Sequence, residues 1–595
     1  MQSELLSPWL RWKVKMRNYV VTLKNKEDLD GFYKDMETIN RKGPDKVIPG
    51  RKIECAVRRP ISRNTVYLLT DEEAEEIRKD QRVLAVELTF KEQGIKIIPH
   101  WQQTADFDKD PTGPNDKNWA LLRCWNGGPI SGWGLGGSFL DYNTTIDTTS
   151  SGKNVDVVIT DVHIQFDHPE FALNPDGTGG SRAVQLDWLQ YSTEAGYVSN
   201  GSYDYGSFEA NHGTHVAGSV AGNTQGWARS ANIYSMHYAY PNTIPSGSPA
   251  PGEVVVGALG WTEVLFDYII AWHNNKEINP NTGRRNPTIV NASWGAAEVD
   301  SDGGLIATSQ LTQWVYRGTT TNVSNPSSSS VNAVGLITVD INENADPNGT
   351  YLPYLPIRSA ALDADVQDAI DAGIVIVSAA GNTYWYHDVP TGNNYNNTFT
   401  YTRANGSSRT VYYHRGASPA AATGVISVGA VDIYVDERKV DFSDFGPRID
   451  VFAPGRYIMS SVWAAESGYT LINDPRDSNY KLARSSGTSF ASPQVAGVLA
   501  CLAEQEPRMN QQDARDYINY VATQDQIGNT GDGNPPAVNF DWTDHLDLLD
   551  SPNLYLYYNY ERPIGGMASP KMNYKRRPSS GAVYPRYNRT KTYLN

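Results

Sequence analysis

The apolar positions of this chain come in two rhythms. Between residues 18 and 93, NYVVTL, RKIECAV, RNTVYLL and VLAVEL are short runs that read as strands, while KEDLDGFYKDMETIN and TDEEAEEIRKDQ read as helices between them. Thr70 stands at a cap position, with acids in the first turn behind it. The order β-α-β-β-α-β predicts a small ferredoxin-like α+β unit over 18–93, behind an N-terminal extension of residues 1–17. From residue 152 the pattern changes. VDVVIT, TIVNAS, GIVIVSA and GVISVGAVD are apolar runs bounded by Gly, Asn or Asp, and DADVQDAIDAG is a helix that ends at Gly373, just before one of them. This alternation predicts an α/β domain over 151–545, with a parallel sheet covered on both faces.

Three stretches fit neither rhythm. Residues 94–150 are rich in Pro, Gly, Asn and Asp and read as a linker and surface loops. Segments 301–358 and 383–416, heavy in Ser, Thr, Asn, Gly and Tyr, are too long for simple connections and are predicted to be insertions with local structure of their own. Residues 546–595 are assigned to a basic, Tyr-rich tail: from Glu561 onward eight Lys/Arg face one acid, interleaved with Tyr574, Tyr584, Tyr587 and Tyr593.

Composition narrows the function. The chain has 595 residues, of which 39% are hydrophobic and 20% charged, so it can bury a large core in two or three domains. A net charge of −15 argues against general affinity for nucleic acid. No apolar run has the length of a membrane span. Pro8, Arg11, Lys13 and Lys15 interrupt the N-terminal stretch, so no signal peptide is expected and synthesis would be cytoplasmic. Cys55, Cys124 and Cys501 are far apart and imply neither a disulfide framework nor a zinc site.

Chemistry-bearing residues cluster first in VVITDVHIQFDHPEF, with Asp161, His163, Asp167 and His168. These could hold a divalent cation, but only Asp161 has a positional reason to matter, because it ends a buried strand. In an open parallel sheet, working residues sit at the carboxyl ends of strands and the amino ends of helices. Three further motifs meet that description: NHGTHVAGSVAG with His212 at its mouth, IVIVSAAGN ending at Asn382, and SSGTSFASPQVAGVLACLAEQ with Ser489 at a helix start. A serine hydroxyl needs a base, the base needs an acid to fix its tautomer, and an amide aimed at a developing oxyanion lowers the barrier. Asp161, His212, Asn382 and Ser489 supply one residue for each role. His215 and His237 are expected to be packed or hydrogen-bonded.

These four motifs resemble those of the subtilisin-like serine proteases, the subtilases. IVNASWG resembles that family's cleft-edge strand and FSDFGPRIDVFAPG its segment before the nucleophile, and the likeness covers roughly 152–525. The resemblance implies a parallel seven-stranded sheet flanked by helices, and endoproteolysis through an acyl-enzyme. It makes Ser489 the nucleophile, His212 the general base and Asp161 its orienting acid. Asn382 becomes the oxyanion donor, with the Ser489 N–H as the second. Ser293, Trp294 and Gly295 on one side, and Ala379, Ala380 and Gly381 on the other, would flank a polypeptide substrate bound as an added strand. Trp294 is expected to narrow or reshape a pocket. The unit at 18–93 resembles the subtilase propeptide, which would act as an inhibitor in place and be cut off between about Glu87 and Gln102. No cofactor is implied; some subtilases need calcium, and no ligand set is assigned here. Domains of this style also resemble those borne by virion proteins of tailed phages. The alternative expectation is therefore a structural component of a large assembly, with a self-directed or inactive protease domain and an assembly partner held through the basic tail. Val162 and His163 depart from the family, which has Ser or Thr and then Gly after the acid. The departure predicts a less tethered Asp161.

Overall fold

A computed structural model describes residues 16–38, 52–99, 118–127, 148–186, 190–196, 211–237, 264–339, 348–432, 437–528 and 548–558, apart from positions 54, 60, 149, 192, 467 and 468. The N-terminal unit comprises β1 (Arg17–Leu23), α1 (Leu29–Met36), β2 (Cys55–Val57), β3 (Asn64–Leu69), α2 (Asp71–Ile77) and β4 (Val83–Leu88), with strand order β2-β3-β1-β4. Thr70 and Glu73 close a capping box on α2: the Thr70 hydroxyl accepts the Glu73 N–H at 3.2 Å and the Glu73 carboxylate accepts the Thr70 N–H at 3.0 Å. Alternation along β1 splits its apolar residues between two cores. Tyr19, Val21 and Leu23 pack under α1 and α2, whereas Val20 joins the core of the larger body.

Next come α3 (Phe90–Gln93), β5 (Lys96–Pro99) and α4 (Trp119–Asn126). The last two correct the expectation of linker and loops over 94–150. Trp119, Ala120, Leu121, Leu122 and Cys124 of α4 are buried in the main core. Asn118 caps this helix, accepting the Ala120 N–H at 3.1 Å while its amide donates to the carbonyls of Gln225 and Met459. WALLRCW is a short helical run set among loop-forming residues, so its composition is averaged away over any longer window.

The α/β body opens with β6 (Asp156–Asp161), β7 (Ala183–Gln185), α5 (Asn211–Ala221), β8 (Asn232–His237), α6 (Leu265–Asn275), β9 (Thr288–Ala292) and β10 (Trp294–Glu298). It continues through β11 (Leu311–Tyr316), β12 (Thr319–Asn322), α7 (Ser328–Asn332), β13 (Leu355–Pro356), α8 (Ala360–Asp371), β14 (Val375–Ala379), β15 (Thr398–Thr402) and β16 (Ser408–Tyr412). It closes with β17 (Ile426–Val431), β18 (Val451–Pro454), β19 (Ile458–Val462), β20 (Ile472–Asn473), β21 (Lys481–Ser485), α9 (Thr488–Gln505), α10 (Gln511–Val521), β22 (Thr523–Gln524) and β23 (Leu554–Tyr555).

The main sheet has the order β22-β23-β18-β17-β14-β9-β6-β8-β7. All its pairings are parallel except that of β22 with β23. The run from β7 to β18 accounts for the seven strands expected, and β23 and β22 extend its edge. β23 comes from LYLYY, inside the stretch assigned to the tail, so the folded body reaches at least residue 558. Leu554, Tyr555, Leu556 and Tyr558 are buried, and Tyr558 stacks on Trp227 with ring centroids 5.0 Å apart. The basic stretch from Glu561 lies outside the described residues.

Both faces of the sheet are covered. Val157 and Ile159 of β6 share a core with α5 and α9, and Val158 shares the opposite one with α6 and α8. The two predicted insertions build one antiparallel sheet, β12-β11-β15-β16, around Trp314, Trp385, Phe399, Tyr401, Val411 and Tyr413.

Candidate active site

β6 delivers Asp161 to the carboxyl edge of the sheet, fully buried. Its Oδ1 accepts the Val162 N–H at 2.7 Å and lies 2.7 Å from His212 Nδ1. A buried carboxylate on Nδ1 keeps the proton there and leaves Nε2 as the basic nitrogen. Close packing makes this contact possible: a Cβ at Gly213 would run into the carbonyl oxygens of Val162 and His163. Asp161 Oδ2 has no hydrogen-bond partner among the described residues.

The rest of the Asp/His cluster disperses. His163 sets its ring edge-on to Phe166, centroids 4.9 Å apart, and burial lowers its pKa. His168 Nδ1 accepts the Glu170 N–H and its Nε2 lies 2.9 Å from the Lys481 carbonyl, so it caps the short turn that follows. Asp167 accepts the Tyr480 hydroxyl at 3.0 Å. Among the described residues no group of three His, Cys, Asp or Glu could hold a metal ion. His215 places Nε2 between the carbonyls of Ile458 and Ala483, at 2.9 and 3.2 Å, and burial pushes its pKa down to about 3. Burial likewise pushes His237 down to about 4.

Ser489, in the first turn of α9, is fully buried. Its hydroxyl donates to the Ser293 carbonyl at 3.1 Å, and the Ser293 hydroxyl donates back to the Ser489 carbonyl at 2.9 Å. The next residue, Phe490, sets its ring centroid 5.4 Å from that of His212. Asn382 follows β14 by a short turn. Its Oδ1 accepts both the N–H and the hydroxyl of Thr488 at 2.8 Å, and the Gly381 N–H donates to Thr488 Oγ1 at 3.2 Å. A backbone N–H can only donate, so the amide orientation is set and Nδ2 points away from Thr488. That Nδ2 is buried and makes no hydrogen bond to the described residues. An unmet buried donor costs roughly 1–3 kcal/mol, and such a cost calls for a functional explanation. Thr488 escaped the sequence reading, although it adjoins Ser489.

The cleft-edge residues divide. Trp294, Gly295, Ala296 and Ala297 pair antiparallel with Pro99, Ile98, Ile97 and Lys96, so β10 carries a strand from the protein's own N-terminal region. Ala380 spends its N–H on the Val428 carbonyl at 2.9 Å, and among the described residues β5 joins its sheet through β10 alone. The Trp294 indole, expected to narrow or reshape a pocket, is fully buried and donates to Thr160 Oγ1 at 3.1 Å, which anchors β10.

The N-terminal unit docks on α6 and α8 through polar contacts that sequence reading missed. Arg59 reaches Asp267 at 2.6 Å and Asp365 at 2.9 Å, and Ser62 donates to Asp365 at 2.6 Å. Glu87 accepts the N–H groups of Ala360 and Ala361 at 3.2 and 2.9 Å, where the amino end of α8 favours a negative charge. These partners lie hundreds of positions apart, and no local signal joins them.

A mainly parallel sheet covered on both faces, with a carboxylate, an imidazole and a hydroxyl borne on its strand and helix ends, defines an α/β protein of open-sheet architecture. The sequence model of the subtilase family matches residues 152–539, more than half of the chain, and the chain belongs to the subtilase family. It is 25% identical to subtilisin-like proteinase Mp1 of Magnaporthiopsis poae, over 74% of this chain and 73% of that one. It is 24% identical to the subtilisin-like serine protease Cur l 4.0101 of Cochliobolus lunatus, over 67% of this chain, and spans only 52% of that relative's length. The solved structure of fervidolysin from Fervidobacterium pennivorans, a keratinolytic enzyme related to subtilisin, aligns at 16% identity with a TM-score of 0.46, over 92% of this chain and 61% of that one.

Proposed function

We propose that this subtilase is a serine endopeptidase that cleaves polypeptides through an acyl-enzyme and is restrained by its own N-terminal unit. One observation carries the reading: β5 lies antiparallel on β10 as a substrate strand would, and its last described pair, Trp294 with Pro99, adjoins Ser293, whose carbonyl holds the Ser489 hydroxyl. In the proposed reaction, Ser489 turns its hydroxyl from the Ser293 carbonyl to His212 Nε2, loses its proton there and attacks the substrate carbonyl carbon. His212, held by Asp161, carries that proton to the leaving amine as the C–N bond breaks. Asn382 Nδ2 and the Ser489 N–H donate to the oxyanion. Water, deprotonated by His212, then attacks the acyl carbon, and His212 returns the proton to Ser489 Oγ as the ester bond breaks and the acid product leaves. Gly295 of β10, which pairs with Ile98 of β5, would offer its main-chain groups to the bound strand.

Intact-mass spectrometry of the purified chain tests this. The expected product begins within the first few residues after Pro99, inside the window from Glu87 to Gln102, and Ser489→Ala stays full length. A wild type that remains full length and takes no label from a serine-directed phosphonate would sink the proposal.

A further inference from the structure

The turn that carries Asn382 is held from below by a buried pair outside the Asp161, His212 and Ser489 set. Asp444, between β17 and β18, is fully buried. Its Oδ1 accepts the N–H of Thr383 at 2.9 Å, the N–H of Trp385 at 3.0 Å and the Thr383 hydroxyl at 3.4 Å. Its own N–H donates to the Gly381 carbonyl at 2.9 Å. Gly381 has φ +130°, a conformation that L side chains rarely adopt, and a Cβ there would run into the Asp444 carboxylate. Behind the carboxylate stands His387, 1% exposed, with Nε2 3.1 Å from Asp444 Oδ2, a close contact without hydrogen-bond geometry. The His387 N–H donates to the Phe445 carbonyl at 2.6 Å, so the pair is tied along the main chain as well.

We infer that Asp444, backed by His387, is the positioning residue for the oxyanion donor: it clamps the residues on both sides of Asn382 so that the amide nitrogen stays aimed. This rests on the endopeptidase reading above. Asn382 is then fixed at two points, at its tip by Thr488 and at its base by Asp444. Donors that stabilise an oxyanion act only when they are preorganised. The substrate strand, by contrast, binds to β10, which Asp444 does not support. Loosening the clamp therefore lowers kcat and leaves KM nearly unchanged. His387 belongs to the segment 383–416, so a predicted insertion reaches the oxyanion turn.

The test is a double-mutant cycle on the processed enzyme with a peptide substrate. Asp444→Ala is expected to lower kcat about 10- to 100-fold with KM within about twofold, and to cost less than about threefold more when Asn382 is already Ala. His387→Ala, which leaves the acceptor for Thr383 and Trp385 in place, is expected to lower kcat by about three- to tenfold with the same lack of additivity. It serves for the cycle if Asp444→Ala does not fold. Equal factors in the wild-type and Asn382→Ala backgrounds, or a raised KM with unchanged kcat, would overturn the inference while leaving the endopeptidase reading intact. A wild type without activity overturns both.

Discussion

Asp161 holds His212 with a single oxygen, shared with the Val162 N–H, while its second oxygen has no hydrogen-bond partner among the described residues. An acid held this way still sets the tautomer of the imidazole but contributes little beyond that one bond. Asp161→Asn is therefore expected to keep the fold and lower kcat by about 10⁴-fold, because an amide in that place favours the wrong tautomer. The measurement is kcat beside a denaturant midpoint, and an unchanged kcat would refute the role. Asn382→Ala is expected to cost about 10²–10³-fold in kcat. Gly213 is the residue that lets α5 reach β6. Gly213→Ala is expected to destabilise by about 1–3 kcal/mol through overpacking and to reduce kcat with it, since His212 must move off Asp161. Urea unfolding and initial rates check both effects.

At the scale of elements, the N-terminal sheet meets α6 and α8 across a set of acids, Asp267, Asp365, Asp368 and Glu87, that outnumbers its two cations, Arg59 and Arg63. Arg59 lies between Asp267 and Asp365, each almost wholly buried, and a single guanidinium neutralises only one of them. Burial, opposed by Arg59 and assisted by Asp267, pushes the Asp365 carboxyl up to about 7. Burial also raises Glu87 and Asp368 at the same contact. A carboxyl raised in the docked state supports docking in its protonated form. Its contribution is complete below the ordinary carboxylate value of about 4 and is lost as pH rises through about 7. Ser489→Ala, which stays in one piece, should therefore grow less stable from pH 4 to pH 8. The slope should be at most about 1.4 kcal/mol per pH unit for each group. Asp365→Asn should flatten that slope in denaturant titrations, and a slope unchanged by the substitution would contradict the assignment. Elements were legible where their signal is local. The cap at Thr70 and the apolar strands stand in the structure where their residues predict them, and the helix expected to end at Gly373 ends at Asp371, two residues short of it. Helix α4 and strands β5 and β23 were not legible, because each is a short run whose neighbours read as loop and whose partner strand or core is distant in the chain.

For the molecule as a whole, two insertions more than twenty residues apart in the chain close into one sheet. Trp385, fully buried with its indole N–H on the Tyr354 carbonyl at 3.1 Å, sits in the core of that sheet directly after the turn that carries Asn382. Trp385→Ala is expected to cost about 3–5 kcal/mol, read as a fall in the denaturant midpoint. Loss of the insertion sheet alone, with hydrolysis at full rate, would show that the two regions are uncoupled. By itself the sequence determined the alternation of strands and helices and the four motifs at strand and helix ends, because hydrophobic period, turn residues and capping act over a few neighbours. Tertiary structure decided which oxygen of Asp161 meets His212, where the indole of Trp294 goes, that β5 lies on β10, and that Asp444 underlies Asn382. Each of these joins residues far apart in the chain, and a contact of that kind leaves no periodic mark: its energy comes from packing and hydrogen bonds that exist only once the chain has closed.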